Sequence, residues 1–422
     1  MIRALFVVIA FFELKKFHME SIARIYFLTL LILSLVACGV SELGDFVKDD
    51  FNGVWLGPSY GGSGAAYSTT YVTAFDYPDG YDWRLNQEKG SVRCSLVVFA
   101  DKKPVLKVPV GDVYCVSDDP DMHRVIDGHL YTDYATDDRT IIKKDGKPYI
   151  SYEGRESIVD MCVYKDSVYT LGQKRNEKGF SYRVNGRIVL ERESGYPFGR
   201  LVCSTGDMSF AFAEPVSTSG EKTERYYYYT GGTVRQTALR EDVRKVWDVW
   251  VHEGEVCYLA SLTGVAEPVM VSNQGLKGLP VPYGTSVVSG RMFGVGDVMG
   301  AEMMLASESS LSSALWLDGR LYSSFASGMT VSSIWTGQEG VACALNAGSV
   351  SEEGLIFRMG ETYRIPAGFV CLGSSPINVA DGMLTAGLSS LVGDRPLLWE
   401  DGVTEELDVN GYICTVSSVV PY

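Results

Sequence analysis

The side chains that could do chemistry in this chain are few in kind. Among 422 residues there are four histidines and nine cysteines, against 52 aspartates and glutamates. His123 and His129 lie in DDPDMHRVIDGH, where Asp118, Asp119 and Asp121 could complete a chelating set. That segment lacks the DxDxDG loop with a distal glutamate that a calcium site uses, so a solvated acidic loop is the expected reading. No CxxC pair is present to begin a zinc site. There is no GxSxG elbow and no recognisable Ser-His-Asp order for nucleophilic catalysis. Adjacent carboxylates such as Asp137-Asp138, Glu352-Glu353 and Glu405-Glu406 are numerous, but a glycosidase pair is defined by separation in space, which sequence does not give. The run Tyr226-Tyr227-Tyr228-Tyr229 before Gly231-Gly232 reads as two rings in a core and two outside it, with a sugar-stacking platform as the sharper alternative. No catalytic residue, metal or cofactor is therefore expected.

The cysteines carry a different signal, which is spacing. Cys115, Cys162, Cys203, Cys371 and Cys414 each follow a large apolar residue, with steps of 47, 41, 168 and 43, and 168 is four times 42. Besides Cys38, eight cysteines remain, a number that would suit disulfides in an exported protein. Equivalent positions in neighbouring sheets lie about 10 Å apart, however, beyond the reach of about 7 Å that a bridge allows between Cα atoms. Buried, reduced thiols are expected.

The same period recurs in hairpins. IIKKDGKPYIS, YRVNGRIVLER, YYYTGGTVRQT, VMVSNQGLKGL, LWLDGRLYSSF, IFRMGETYRIP and LLWEDGVTEEL each place a glycine turn between apolar alternations. Their turn glycines, Gly146, Gly186, Gly232, Gly275, Gly319, Gly360 and Gly402, are 40 to 46 residues apart. Asn-Gly, Asp-Gly and Gly-Gly suit the two-residue type I′ turn, whose central positions need positive φ. An earlier member, VVFADKKPVLKV, makes eight. Between them runs a second series of hairpins, among them VDMCVYKDSVYTLG and VWVHEGEVCYLAS. Two hairpins per period of about 43 residues make four antiparallel strands, which resembles the blade of a β-propeller repeat protein. The resemblance covers residues 67–422 and implies an all-β ring of eight four-stranded blades, with seven blades or a pair of β-sandwiches as alternatives. The last strand, Tyr412 to Val419, has no partners after it, and the segment 67–107 lacks an innermost strand. Pairing the two would close the ring.

Composition agrees with a folded, turn-rich chain: 46% hydrophobic, 21% charged, 45 glycines and only 15 prolines. A net charge of −15 makes a phosphate-tracking groove a poor expectation, and nucleic acid is excluded as a partner on that ground.

The first 37 residues read as a signal peptide. Lys15, Lys16 and Arg24 precede the apolar run Ile25 to Val36, which is too short to span a bilayer. Met19 opens a better-formed leader than Met1. The leader ends in Leu35-Val36-Ala37-Cys38-Gly39, which resembles the lipobox of bacterial lipoproteins. The resemblance implies cleavage before Cys38, a lipidated cysteine with acyl chains, and a membrane anchor. Gly39 is not the aspartate associated with inner-membrane retention, so the outer membrane is expected by analogy. Residues 38–66 then form an acidic and glycine-rich tether.

With this address, the expected function is that of a binding or scaffold module for a protein or glycan partner at the cell envelope. A polysaccharide hydrolase or lyase is the alternative, and a structural subunit of an envelope complex is a third. In a four-stranded blade the strand 1–2 and 3–4 turns emerge on one face, and the strand 2–3 loops and blade-to-blade connections on the other. The longer stretches assigned to the second face are Asp76–Gly90, Asp133–Arg139, Gly172–Gly179, Glu214–Arg225, Gly296–Ser313 and Ser349–Gly354. Aromatic and arginine anchors in such loops suit binding. The candidates are Tyr77, Tyr81, Trp83, Arg84 and Tyr196, followed by Arg155 and Arg175. The competing reading has Trp83 and the tyrosines merely capping the ring.

Overall fold

The computed structural model describes residues 54–55, 68–84, 92–113 and 123–419, with breaks in the last span at 136–137, 175–177, 199, 205–206, 219–220, 253–254, 273–274, 296–297, 309, 338–339, 373–374 and 394. Cys38, the leader, most of the 38–66 segment, Arg175 and the aspartates near His123 lie outside the described residues.

Eight antiparallel sheets make a β-propeller, in which blade 1 joins the two ends of the chain and blades 2 to 8 follow in order over residues 123–153, 156–192, 196–236, 243–278, 286–324, 329–365 and 369–406. Blade 3 shows the unit: Glu156–Tyr164 is the inner strand, followed outward by Ser167–Lys174, Phe180–Val184 and Arg187–Arg192. Blade 1 is composite. Its inner strand is Ile413–Val419 from the end of the chain, paired antiparallel with Thr69–Asp76 in the register Thr69↔Val419 to Thr73↔Thr415. Val54–Trp55, inside the segment expected to be a tether, adds two residues to the outer edge of this blade opposite Lys107 and Leu106.

The turns follow from their residues. Asp127-Gly128, Asp145-Gly146, Asn185-Gly186, Asp318-Gly319, Asp381-Gly382 and Asp401-Gly402 all hold both residues at positive φ, as type I′ geometry demands. The outer turns do more than reverse the chain. Asp101, Asp145, Asn185 and Asp401 each accept a hydrogen bond, 2.8–3.1 Å long, on a side-chain oxygen from the backbone N–H of Thr70, Leu130, Val168 or Leu384, at the second strand of the same blade. One residue thus fixes the turn and ties three strands together.

Both faces of each sheet are buried, so the core is divided into eight apolar clusters, one between each pair of neighbouring blades. The four-tyrosine run shows how strand alternation feeds this arrangement. Tyr226 and Tyr228 pack toward blade 5, and Tyr227 and Tyr229 toward blade 3. Both large buried polar groups and glycine serve the packing in blade 3. Arg183 Nη2 donates to Glu156 Oε1 at 2.9 Å with both side chains under a tenth exposed, Ser181 donates to the same carboxylate, and the guanidinium sits 4.1 Å from the ring centre of Tyr152 in blade 2. A Cβ on Gly172 would stand 2.5 Å from Glu156 Oε2, so this position needs glycine.

Outer strands are potential templates for another chain's strand. Here they carry bulges, at Val105, Tyr149, Val189 and Tyr322, and prolines at 104 and 148, devices that spoil edge pairing.

Two of the stretches expected as long loops are strand. Glu214–Arg225 is the far end of the paired strands Asp207–Thr218 and Glu221–Thr230, with Glu214 opposite Arg225 and Thr218 opposite Glu221. Gly296–Ser313 contains the strand Val298–Ala306, and its connection is confined to 307–310. Polar residues in the first and a Gly-Met-rich sequence in the second conceal strands that the neighbouring ladders impose.

Candidate functional site: a belt of arginine and aspartate on the inner strands

The inner strand of each blade leaves one row of backbone N–H and C=O groups without a neighbour in its own sheet, and such groups must find partners. Across blades 2 to 6 residues at the inner strands supply them in alternation: Arg124, Asp160, Arg200, Asp248 and Arg291, of which Arg200 stands between the two short segments, Tyr196–Pro197 and Val202–Ser204, that take the place of a continuous inner strand in blade 4. Arg124 Nη1 donates to Asp160 Oδ1 at 2.5 Å and to the Met161 carbonyl at 2.7 Å. Asp160 also accepts from the backbone N–H of Met161 and, at 2.5 Å, of Leu201 in blade 4. The pattern repeats two blades on. Asp248 accepts from Arg200 Nη2 at 2.7 Å, from its neighbour Val249 N–H at 2.9 Å and from Met292 N–H of blade 6 at 2.6 Å. Each aspartate therefore joins three blades. Arg291 completes the series by donating to Glu302 at 3.1 Å and to the Val331 carbonyl of blade 7 at 3.4 Å.

Bulges aim these side chains. Asp160 follows an extra residue at Val159, and Asp248 follows one at Trp247. Ser333 and Thr415 stand directly after equivalent bulges at Ser332 and Cys414, in accord with the tendency of bulges to redirect a side chain. In the remaining blades uncharged groups take over. The Asn346 amide exchanges two hydrogen bonds with the Cys371 backbone, the Val416 N–H donates to the Ser375 carbonyl at 2.7 Å, and the hydroxyls of Thr73 and Thr415 meet at 2.7 Å.

The electrostatics of the belt are balanced. Each arginine is matched by a carboxylate, and Asp160 and Asp248 are nearly buried, while the arginine side chains are 35%, 29% and 37% exposed. Glu302 differs: burial pushes its carboxyl above the usual range, although Arg291 and Ser313 pull it back. None of the five belt residues was a sequence candidate. The signal was present, since each precedes the apolar residue that marks the inner strand, in steps of 36, 40, 48 and 43.

The loop candidates fall in three separate places. Tyr77 and Trp83 are buried, at 5% and 9% exposure, in the core of the closing blade. Trp83 and Phe75 both pack on Tyr412 with ring centres 5.1 Å apart, and Tyr81 stacks on Tyr77 at 5.2 Å. Arg84 makes a two-pronged pair with Asp82 at 2.6 and 2.8 Å. These four form a cap over the seam between blades 8 and 1, where Asn410 ties the loop down by donating to the Pro78 and Tyr81 carbonyls. Arg155 is half-buried at the connection from blade 2 to blade 3. Tyr196, in the short strand Tyr196–Pro197 that opens blade 4 opposite Ala213, is exposed, and its hydroxyl donates to Glu224, which also accepts from Tyr226. The sequence reading did not single out Tyr283, on the connection from blade 5 to blade 6, although its side chain stands fully in solvent.

Among the described residues no group of three or more His, Cys, Asp or Glu side chains could hold a metal ion. Among the described residues Cys257, Cys343, Cys371 and Cys414 are buried thiols outside any disulfide. Burial pushes the Cys371 thiol up to about 12 and that of Cys257 to about 11, so neither resembles an activated nucleophile.

No family model matches the chain, and no curated protein matches it in sequence. Solved structures do. The β-propeller domain of the Trilobed protease from Pyrococcus furiosus aligns over 72% of this chain and 96% of its own, at 11% identity and a TM-score of 0.44. Dihydro-heme d1 dehydrogenase NirN, in complex with DHE, aligns over 87% and 79%, at 10% identity and a TM-score of 0.49. Acylaminoacyl peptidase of Pyrococcus horikoshii aligns over 78% of this chain and 59% of its own, at 12% identity and a TM-score of 0.43. At such identities the likeness is one of fold: the chain is an eight-bladed β-propeller closed by its C-terminal strand.

Proposed function

We propose that this protein is an outer-membrane lipoprotein, anchored through acylated Cys38, whose propeller binds a protein or glycan partner on one face. The observation that carries the reading is the asymmetry of the ring. One face is built of two-residue turns, many of them Asp-Gly. The other carries the cap at 77–84, the far end of the long strand pair Asp207–Thr218 and Glu221–Thr230, and the exposed Tyr196, Val265, Tyr283, Val350 and Val392. Rigid scaffolds concentrate recognition on such connections, and tyrosine is a favoured anchor.

Fifteen residues lie between Cys38 and Val54, and a random-coil linker of that length would span about 19–23 Å. Pairing of Val54–Trp55 on blade 1 would then hold the rim of that blade toward the membrane and leave the connection-bearing face open to a partner. Two acyl chains suffice for stable attachment where one does not.

Mass spectrometry of the mature N-terminus should find acylated Cys38, and Cys38→Ala should move the protein from the membrane to the soluble fraction. An unmodified N-terminus elsewhere would reject the anchor. For the binding role, the labelled Cys38→Ala chain is applied to a glycan array and to detergent-solubilised envelope proteins. Saturable binding that Tyr196→Ala with Tyr283→Ala weakens supports the reading, and binding that is indifferent to that pair rejects this face.

A further inference from the structure

Tyr196, Ala213 and Tyr226 stand in one row across the first three strands of blade 4. Ala213, fully buried between them, is small enough for the two phenol side chains to converge. Gly195 brings the first of them in: its φ is +99°, and a Cβ there would run into the Ala213 carbonyl. The point of convergence is Glu224, two residues before Tyr226 and so on the same side of its strand. Tyr196 Oη donates to Glu224 Oε1 at 3.0 Å, and Tyr226 Oη donates to Oε2 at 2.8 Å. Phe198 packs with both rings, edge-on to Tyr196 at 5.7 Å and stacked with Tyr226 at 6.1 Å. Tyr226 is buried, whereas Tyr196 is 38% exposed and Glu224 is exposed.

Both hydroxyl protons are committed to the carboxylate. Burial, with the Glu224 charge beside it, pushes the Tyr196 hydroxyl up to about 12, and burial raises that of Tyr226 as well, so both remain donors at neutral pH. A carboxylate has about four acceptor positions. Two are taken here, one on each oxygen, and each oxygen keeps one for a ligand. The cluster therefore offers acceptors and a negative charge, with no hydroxyl proton to give. In and between blades 3 to 5, Glu191, Glu214 and Asp242 pair with Lys174, Arg192 and Arg240, whereas among the described residues Glu224 is held by phenols and by no cation.

We infer that Glu224, with Tyr196 beside it, receives an arginine side chain of a protein partner. The inference rests on the reading of this face as the binding face and narrows its partner to a protein that presents a guanidinium. An arginine fork sends two parallel N–H bonds to the two oxygens of a carboxylate, which is the pair of positions the tyrosines leave open. A guanidinium has donors only and stacks on aromatic rings, and the exposed ring of Tyr196 borders the carboxylate. A lysine ammonium is a point charge without the fork, and a pair of sugar hydroxyls brings no charge to Glu224. Clamping by two phenols orders the carboxylate before the partner arrives, which lowers the side-chain entropy cost that weakens most exposed ion pairs. A net charge of −15 favours the approach of a basic partner.

The test labels the Cys38→Ala chain with 3-fluorotyrosine and follows the fluorine resonance of Tyr196, assigned as the one missing from Tyr196→Phe. N-acetylarginine amide, its lysine and citrulline counterparts, and glucose are titrated at low, constant ionic strength. The arginine probe should move the resonance in a saturable way, and the lysine probe should need about threefold higher concentration, the value of one lost hydrogen bond. Citrulline, which keeps the shape and lacks the charge, and glucose should leave the resonance in place. Glu224→Gln should abolish the response to arginine, whereas Asp408→Asn, at an exposed carboxylate elsewhere on the ring, should not. No response to arginine, an equal response to lysine, citrulline or glucose, or an undiminished response in Glu224→Gln overturns the assignment. Capture of an envelope protein or glycan that still depends on Tyr196 and Tyr283 would, in that event, leave the binding face standing and remove the arginine alone.

Discussion

Replacement of Asp248 by alanine tests whether the belt holds the ring together. Its carboxylate, 6% exposed, takes hydrogen bonds from Arg200, Val249 and Met292 on three different blades. Val249 and Met292 are 1% and 2% exposed, so Asp248→Ala leaves two buried backbone N–H groups unsatisfied, at about 1–3 kcal/mol each. Arg200 is partly solvated and recovers water, so its loss is held to about 1 kcal/mol. The total is about 3–7 kcal/mol, a range that includes the cost of breaking a buried pair from one side. Unfolding entropy near 2.1 cal/mol/K per residue over about 350 residues converts this to a fall in melting temperature of about 4–10 °C. Scanning calorimetry reads it, with Asp408→Ala as the control, since Asp408 is 86% exposed and pairs only with the exposed Arg395. A surface pair of that kind is worth under about 1 kcal/mol. Equal shifts in the two variants would show that the belt contributes no cohesion and refute the reasoning.

Three further outcomes are expected. Deleting residues 411–422 removes the inner strand of blade 1 and its buried Tyr412, Ile413 and Val416, worth at least about 5 kcal/mol from burial alone; the whole calorimetric transition should move down, and an unchanged transition would reject closure by this strand. Thiol titration should count about eight reactive groups beside Cys38 in denaturant and far fewer without it, and disulfide-linked peptides in a tryptic map would contradict this. Glu302, with its carboxyl raised by burial, is easier to protonate folded than unfolded, so below the unfolded value its burial as a neutral acid carries no ionisation penalty, and the penalty grows as pH rises through the folded value. Urea melts of Glu302→Gln against wild type should therefore shift in favour of the variant between pH 4 and pH 7, and the opposite trend would mean that the pair with Arg291 outweighs desolvation.

The blade count was legible because type I′ turns admit so few residues: Asp-Gly and Asn-Gly at 145–146, 185–186, 318–319 and 401–402 mark the period directly. Strand phase followed from the apolar-Cys pairs, and Cys162 and Cys414 do lie on inner strands. The belt was hidden for a physical reason. Asp160 and Asp248 look like ordinary strand polar residues until the bulges at Val159 and Trp247 turn them toward the neighbouring blades, and a bulge depends on the partner strand. Trp83 and Tyr77 were read as loop anchors because their segment is rich in Gly, Pro and Asp. Their burial involves Tyr412, more than 320 residues away in sequence, which packs against Trp83 and hydrogen-bonds with Tyr77 once the ring closes.

The working face is the central claim, and cross-linking tests it most directly. Benzoylphenylalanine is placed in the full-length chain either at Tyr283, fully exposed on the connection-bearing face, or at Val403, 68% exposed beside the Asp401-Gly402 turn of the opposite face. After irradiation of intact envelopes, the account predicts a discrete protein or glycan adduct from Tyr283→benzoylphenylalanine and none from Val403→benzoylphenylalanine. An adduct from position 403 alone, or equal yields of the same adduct from both positions, would contradict it.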